Sequence, residues 1–408
     1  MANLVSRVQD RLANRKGRQA FAEFTRSLKV CPDVAAVARE RGWKYEILAP
    51  EILSRRAPSQ TIPEQLGDQM FDPAMRAARL DSAWERTKYA RLYAGEYYRS
   101  PEAVYVEIPD ATLHLSSGAV FTAQGEYFPQ SVFVPSQFFG DQQNGLQNPP
   151  PRLEGSYLSS LTPWGWNYAH WLFDSLPKVE AHPFCPAGTK LLMHAGLLPF
   201  HRESLSLLGL GEGDITEISG PLISFEKLGC CFSADRSGAP HPRLLIGQRE
   251  RLLKAAGVPQ PAPTGAPIYI SRKHRSRSRS QRRIANEADV LKVLEEFGFE
   301  AYVPEEHSFP EQVRRFSTAS AIACPHGAGS FNHLFAPAGI PIVEFYNPSC
   351  WEHAPVRFTS LLGQRHYHLF GSNVSDEHDF ELDCARVRKV AALALGGKFL
   401  PLVAEREY

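Results

Sequence analysis

A histidine and an aspartate four residues apart form the first candidate site. His170 and Asp174 lie in the segment NYAHWLFDSLP, which has the pattern of a short helix at 167–176. Residues four apart share one face of a helix, so we expect the imidazole and the carboxylate to meet. Such a pair can act as a general base with its orienting partner. Two alternatives stay open: a polar pair that only stabilises the fold, and a metal site, for which the sequence offers no evident third ligand.

Seven basic residues crowd into a short loop after a predicted strand at 268–271. They are Arg272, Lys273, Arg275, Arg277, Arg279, Arg282 and Arg283. In open α/β sheets, ligands bind beyond the carboxyl ends of the strands, which is where this basic loop begins. Because guanidinium groups match phosphate oxygens through paired hydrogen bonds, the loop predicts a phosphate or pyrophosphate site. The alternative is a charged loop that faces only solvent.

A glycine-containing turn follows another predicted strand, at 321–324, and precedes a helix. We call it the glycine turn, and its residues are Pro325, His326, Gly327, Ala328 and Gly329. Glycines let backbone N–H groups approach an anion closely at the start of a helix. An ordinary tight turn without a ligand is the alternative. The shared sheet edge with the basic loop favours ligand binding, with His326 at that edge and Asn332 one turn into the helix.

The elements that carry the basic loop and the glycine turn alternate between strand and helix. Strands are predicted at 268–271, 299–303, 321–324, 342–345 and 366–370, and helices at 287–297, 309–319 and 386–395. Ser308 and Glu311 form a capping-box pattern at the start of the second of these helices. The alternation predicts a parallel sheet covered by helices, as in a doubly wound nucleotide-binding domain.

The part of the chain that carries His170 and Asp174 has shorter and less regular signals. Strands are predicted at 103–108, 112–115, 119–122, 131–134, 190–194 and 215–218, with a polar loop at 140–155. Their alternation with helices predicts a mostly parallel α/β sheet here too. Residues 1–45 have a basic, helical pattern, and residues 46–100 are irregular apart from one helix near 73–98.

The length of 408 residues suits two domains. Four prolines in the segment 257–267 predict the linker between them. The resulting division is an N-terminal helical and irregular extension, two α/β domains and a C-terminal helix, at 1–99, 100–256, 268–375 and 376–408.

Composition disfavours several classes of protein. Hydrophobic residues make up 43% of the chain and charged residues 22%, which is typical of a globular protein with sizeable cores. With 45 basic and 44 acidic residues, the net charge of +1 argues against general nucleic-acid binding. Seven cysteines without a CxxC pair argue against a disulfide scaffold and fit a reducing compartment.

Location is predicted from the absence of long apolar runs. No signal-peptide pattern and no stretch long enough for a membrane span occur, so we expect a cytoplasmic protein. The basic N-terminal helix leaves two interpretations open. It either docks on the body of the protein through its apolar face or lies on a membrane surface, which would give peripheral association with the inner face of the membrane.

Six short motifs in a fixed order resemble glycosyltransferase family 61 over about residues 100–375. They are Asn167-Tyr-x-His170-Trp-x-x-Asp174-x-Leu-Pro177, Tyr269-Ile-Ser-Arg272, Arg283-Ile-x-Asn286-Glu287, Pro304-Glu305, the glycine turn with Asn332, and Val343-Glu344. The resemblance implies a GT-B architecture, in which two Rossmann-like domains face each other across a cleft. It also implies inverting transfer from a nucleotide-sugar donor that the second domain holds.

The resemblance implies roles for the candidate residues. Asp174, or His170 oriented by it, is expected to deprotonate the acceptor hydroxyl. The expected phosphate-binding residues are Arg272 and Arg277, with Arg282 and Arg283 as the next choices. No Asp-x-Asp pair occurs in the chain, so neither a metal nor another cofactor is expected to assist the pyrophosphate.

The remaining donor contacts implied by the resemblance come from residues near the strand ends. Glu305 or Glu344 is expected to bind the ribose hydroxyls. The other expected donor-binding residues are Asn286, Glu287, His326, Gly327, Ala328, Gly329 and Asn332.

The expected function is transfer of a sugar from a nucleotide sugar to a glycan or glycolipid acceptor in surface polysaccharide biosynthesis, as in the bacterial capsule-type members of the family. The alternative is a non-catalytic protein that binds a nucleotide or carbohydrate without transfer. An RNA-binding protein that uses the Arg-Ser loop is disfavoured by the near-neutral charge and by the lack of an aromatic stacking motif near that loop.

Overall fold

The computed structural model describes residues 29–31, 33–65, 96–131, 150–233, 238–274, 281–352 and 354–396. The chain divides into two compact units. Unit 1 comprises Met1–Ile52 and Ser100–Gln248, and unit 2 comprises Leu53–Arg99 and Arg249–Tyr408. The division after Gln248 falls inside a helix and not in the predicted linker at 257–267.

The described residues contain eighteen strands. In chain order they are β1 (Lys29–Val30), β2 (Tyr45–Ala49), β3 (Ile52–Arg56), β4 (Glu96–Ser100), β5 (Ala103–His114), β6 (Val120–Phe121), β7 (Glu126–Tyr127), β8 (Arg152–Ser159), β9 (Lys190–His194), β10 (Ile215–Ile218), β11 (Leu222–Phe232), β12 (Ile268–Ile270), β13 (Glu300–Tyr302), β14 (Ile322–Pro325), β15 (Pro341–Tyr346), β16 (Arg365–Phe370), β17 (Ser372–Asn373) and β18 (Phe380–Glu381).

The helices of the described residues are of three kinds. The α-helices are Val34–Glu40, Tyr168–His170, Pro199–Leu207, Pro242–Ala255, Glu287–Glu295, Phe309–Ser317, Ala354–Leu361 and Cys384–Leu395. The 3₁₀-helices are Pro129–Ser131, Leu176–Phe184, Glu212–Asp214, Pro304–Glu306 and Ala328–Phe335, and Trp171–Ser175 is a π-helical turn. No helix in these described ranges is both long and apolar enough to cross a membrane.

Unit 1 is built on a mixed sheet, which corrects the expectation of a mostly parallel one. The strand order is β1-β7-β6-β5-β11-β8-β9-β10, with β2 also paired to β5. Strands β11, β8, β9 and β10 are parallel, whereas β2, β5, β6 and β11 form antiparallel pairs around β5. The long β5 and β11 pair over most of their length and bury residues such as Val106 and Leu228 in the core.

The helical segment after β8 changes its hydrogen-bonding pattern within three short turns. Asn167 caps it, since its side chain accepts a hydrogen bond from Ala169 N. The N–H of Leu176 reaches back to Trp171 O, five residues earlier, which closes the π turn. The next residue, Pro177, has no N–H and cannot continue an α-helical ladder. The helix predicted at 167–176 is therefore present, but its second half is π-helical, a geometry that is common at functional sites.

Unit 2 confirms the alternating pattern predicted from the sequence. Its sheet is fully parallel, with the order β13-β12-β14-β15-β16. This is the 2-1-3-4-5 order of a Rossmann-like doubly wound sheet, whose switch point lies between the first and third strands, here β12 and β14. The predicted capping box also forms, because Ser308 N and Oγ both donate to Glu311 Oε2.

Predictions for the first 150 residues are tested only in part. Residues 1–28, 66–95 and 132–149 lie outside the described residues, so most of the two predicted helices and the strand at 131–134 go untested. The described part of the irregular region contains strands β2, β3 and β4, and residues 96–98 belong to β4 instead of a helix. The segment around Gln60 joins the sheet of unit 2 beside Tyr367.

Candidate functional site

The carboxyl ends of β12 and β14 bring the basic loop and the glycine turn together at the switch point of unit 2. Arg272 comes two residues after β12, and His326 follows β14 directly. The Nη1 of Arg272 donates a hydrogen bond to the backbone oxygen of His326 at 3.3 Å. The predicted meeting of the two loops at one sheet edge therefore occurs within unit 2.

Gly327 makes room for the Arg272 guanidinium. The backbone of Gly327 is extended, with φ 170°, so its conformation alone would suit any residue. A Cβ atom at this position, however, would overlap Nη1 of Arg272. Gly329 differs, since a Cβ there would make only ordinary contact with Ile270 Cγ2 at 3.5 Å. A side chain at position 327 would thus have to displace the Arg272 guanidinium, whereas one at position 329 would not.

Arg272 and Arg282 both lie at this edge of the sheet, and their positive charges repel each other. Burial lowers the pKa of Arg272 to about 10, and the charge of Arg282 acts in the same direction, while Glu305 opposes it. Arg282 has a left-handed backbone with φ 54°, which is unusual for a residue with a side chain. Its Nε is buried without a hydrogen-bond partner among the described residues. A bound anion would satisfy both cations.

The glycine turn is supported by a buried carboxylate, that of Glu344, which is hydrogen-bonded to His326 of the turn. Glu344 is fully buried on β15 and receives hydrogen bonds from His326 Nδ1 at 3.3 Å, His366 Nε2 at 3.1 Å and Tyr346 OH at 2.6 Å. Burial alone would raise the pKa of Glu344. The hydrogen bonds from His326 and His366 nevertheless hold this pKa well below its ordinary value. Because protein donors engage both oxygens, Glu344 contributes to the site by supporting His326.

The network continues to a serine outside the parallel strands. Ser59 Oγ lies 2.7 Å from Nδ1 of both His366 and His368. A hydroxyl has one proton, so Ser59 can donate to only one of the two imidazoles, and the other must donate to it. Ser59 therefore links two histidines of β16 to the network around Glu344.

Three predicted donor residues tie the basic loop to its surroundings. Arg283 Nη2 lies 2.8 Å from Asp379 Oδ2. The side chain of Asn286 donates to Leu382 O and accepts from Leu382 N. Glu287 accepts a hydrogen bond from Tyr269 OH at 2.8 Å, which joins β12 to the next helix. These contacts fix the path of the chain after Arg282.

The other predicted donor residues lie at different depths. Asn332 is buried and donates to Gln312 Oε1 at 3.0 Å, so it braces the helix after the glycine turn. Ala328 and Gly329 are half-buried in the turn, and Glu305 is exposed. The prediction for Arg277 lies outside the described residues.

In unit 1 the structure brings His170 and Asp174 together as predicted. Nδ1 of His170 lies 2.8 Å from Oδ2 of Asp174. The Asp174 side chain is only 1% exposed, whereas that of His170 is 29% exposed. The second oxygen of Asp174, Oδ1, accepts a hydrogen bond from Gly238 N at 2.9 Å. The carboxylate is therefore buried and occupied on both oxygens, and the imidazole is the group that reaches solvent.

This arrangement determines the tautomer of the neutral His170 imidazole. An ionised carboxylate only accepts hydrogen bonds, so Nδ1 of His170 carries the proton that points to Asp174. Nε2 is then left with a lone pair, as in hydrolases in which a buried carboxylate orients a histidine base. The pair can take a proton from a hydroxyl through Nε2, and Asp174 stabilises the imidazolium that forms.

Two neighbours of this dyad were missed by sequence reasoning. Lys178 is buried four residues after Asp174 and donates to Leu161 O at 3.2 Å. Burial lowers the pKa of Lys178, and Asp174 is among the groups that oppose this. The ring of Trp164 packs on that of His170, with centroids 5.0 Å apart. The four-residue spacing from Asp174 was a usable signal for Lys178, but nothing local marked Trp164.

The metal alternative gains no support from the side-chain arrangement. Within the described ranges, no three His, Cys, Asp or Glu side chains converge in a way that could hold a metal ion. All seven cysteines are described, and all are free thiols.

Part of the chain matches a known protein family. No curated protein sequence matches the chain. Residues 168–343 match the family model described as Glycosyltransferase 61, and this span contains the His170–Asp174 dyad, Arg272 and the glycine turn. Over residues 168–343, less than half of its length, the chain is similar to glycosyltransferase family 61.

Proposed function

We propose that this protein is an inverting, metal-independent glycosyltransferase. In this proposal it moves a sugar from a nucleotide-sugar donor to a glycan or glycolipid acceptor in surface polysaccharide biosynthesis. The family match supports glycosyl transfer. The observation that carries the donor half is the contact of Arg272 with the glycine turn at the switch point between β12 and β14.

The donor's pyrophosphate would lie against Arg272 and Arg282. As the bond from the anomeric carbon to the phosphate oxygen breaks, its electron pair leaves with the nucleoside diphosphate. Cations already placed at that oxygen stabilise the growing charge, an effect worth about 3 kcal/mol for one well-placed donor. The mutual repulsion of the two arginines in the free protein favours such a role, because an anion relieves it.

The acceptor's proton would go to Nε2 of His170. The acceptor oxygen then forms a bond to the anomeric carbon from the side opposite the leaving group, which inverts the configuration. We assign the base to His170, with Asp174 as its positioning residue, because the Asp174 side chain is buried and both its oxygens are engaged. The GT-B arrangement, a cytoplasmic location, peripheral membrane contact and the absence of a nucleic-acid partner belong to the same proposal.

A nucleotide panel tests the proposal. The protein is screened by thermal shift against nucleoside monophosphates, nucleoside diphosphates and nucleotide sugars. A ligand at about 100 times its Kd adds about 2.7 kcal/mol to the free energy of unfolding, so a true donor is distinguishable. We expect one nucleoside diphosphate and its sugar conjugates to stabilise the protein, and the conjugate to release the diphosphate slowly. No stabilisation by any member would overturn the proposal, and binding without release or transfer would indicate a non-catalytic protein.

A further inference from the structure

The turn between β8 and the following helical segment, residues 162–167, carries two tryptophans and is anchored from beneath. Nε2 of His194 contacts Thr162 O at 3.0 Å, and Nε2 of His201 contacts Gly165 O at 2.9 Å. The turn also closes on itself, since Gly165 N donates to Thr162 O at 3.1 Å. A backbone held at several points keeps the side chains it carries in fixed positions.

One of those side chains, Trp166, is left largely in solvent. It is 47% exposed, although an indole is among the most favourable groups to bury. It lies at a shallow, solvent-open pocket, whose other walls include Leu161, Met193 and Leu197. The pocket therefore combines a flat, rigid aromatic wall with an apolar floor.

The pocket also contains one directed hydrogen-bond acceptor. Nε2 of His194 must carry a hydrogen because it faces the Thr162 carbonyl, which leaves Nδ1 with a lone pair. Nδ1 has no hydrogen-bond partner among the described residues, whereas the Nδ1 of His201 accepts from Leu198 N. Burial lowers the pKa of His194, so the neutral form is retained near pH 7.

We propose that this pocket binds a pyranose ring of the acceptor glycan, with the ring's apolar face on the Trp166 indole and one hydroxyl donating to Nδ1 of His194. The assignment to the acceptor rests on the transfer reaction proposed above. A neutral sugar fits better than an anion, because the described lining has neither an acidic side chain nor a Lys or Arg. The pocket and the dyad share one rigid segment, since Trp164 of the same turn packs on His170.

The test measures binding of simple sugars to the full chain. Saturation-transfer NMR is recorded with the methyl α- and β-pyranosides of glucose, galactose, mannose, rhamnose and N-acetylglucosamine. At least one pyranoside should bind, and Trp166→Ala should weaken it by about tenfold or more, as for loss of a central aromatic contact. Phe184→Ala is the matched control, since Phe184 is another exposed aromatic of the same unit, at 40%.

Three results would overturn the inference. They are failure of every pyranoside to bind, equal binding by Trp166→Ala, and equal weakening by Phe184→Ala. A blue shift of tryptophan fluorescence on anionic phospholipid vesicles that only Trp166→Ala abolishes would instead make this a lipid contact, and would also overturn it. The nucleotide panel separates the two proposals. If a nucleoside diphosphate stabilises the protein but no pyranoside binds, only the acceptor pocket fails.

Discussion

The guanidinium of Arg272 occupies the space in which any side chain on Gly327 would have to lie. This relationship joins the ends of β12 and β14, two adjacent strands of the unit 2 sheet. It explains why a glycine stands at this position although its backbone angles would suit other residues. A substitution at Gly327 should therefore displace the Arg272 guanidinium while the arginine itself is kept.

Gly327→Ala should therefore imitate the loss of Arg272. The new methyl group meets the mobile end of a long side chain, so the fold should survive while the guanidinium moves away. We expect a rise of about tenfold or more in the Kd for the nucleoside diphosphate, measured by calorimetry. Gly329→Ala is the matched control, because its methyl group makes ordinary contact with Ile270. Equal affinities for the two variants would show that Gly327 does not act through Arg272.

Arg282→Gly should separate affinity from stability. Glycine adopts the left-handed backbone of this position at little cost, so the melting temperature should stay constant or rise slightly. The Kd for the nucleoside diphosphate should rise by about tenfold, because one of two phosphate-facing charges is lost. Arg282→Lys, which keeps the charge, should have an intermediate Kd. An unchanged Kd for Arg282→Gly would exclude Arg282 from the phosphate site.

Asp174→Asn should remove activity through the wrong tautomer of His170. Gly238 N needs an acceptor, so the new amide oxygen should face it, and the amide nitrogen should face Nδ1 of His170. Nδ1 must then accept, which places the proton on Nε2 and abolishes the base. We expect kcat to fall by about 10³- to 10⁴-fold with little change in donor affinity. His170→Gln should be similarly inactive, and substantial turnover by it would make Asp174 the base.

Acid should destabilise unit 2 from about pH 6 downward. Burial lowers the pKa of His368 to about 3 and that of His333 to about 4, so the unfolded chain binds protons that the folded one does not. Each histidine lowers the free energy of unfolding by about 1.4 kcal/mol per pH unit across this window. Glu344 has a depressed pKa, so its stabilisation is complete above the ordinary glutamate value and is lost in stronger acid. Urea unfolding across this range measures the slope, and a flat profile would contradict the neutral buried histidines.

Much of unit 2 could be predicted because its signals are local. Strand and helix patterns alternate regularly there, and the capping box at Ser308 and Glu311 marks a helix start within four residues. Unit 1 was harder, because its sheet depends on pairing between distant segments. Strand β8 was partly assigned to a polar loop, since most of its residues are not buried, and β11 was not predicted. The antiparallel pairing of β11 with β5 joins residues more than a hundred positions apart, which no local pattern encodes.

The proximity of the candidate residues was predicted better than the contacts that each of them makes. His170 and Asp174 meet as the helical spacing indicated, and Arg272 meets the glycine turn. Glu344 and Asn286, by contrast, are engaged by other protein groups. A polar residue in a motif serves a ligand or an internal partner with the same atoms, so its type and spacing do not separate the two roles.

The central claim is that Arg272 holds the donor's pyrophosphate, and calorimetry on one pair of variants tests it most directly. Arg272→Ala and Lys273→Ala each remove one cation from the same loop, but Lys273 is exposed and lies 3.6 Å from Glu306. With the nucleoside diphosphate that stabilises the wild-type protein most, we expect the Kd to rise by about 10- to 100-fold for Arg272→Ala and by less than about threefold for Lys273→Ala. An unchanged Kd for Arg272→Ala, or equal weakening by both variants, would contradict the assignment of the donor site.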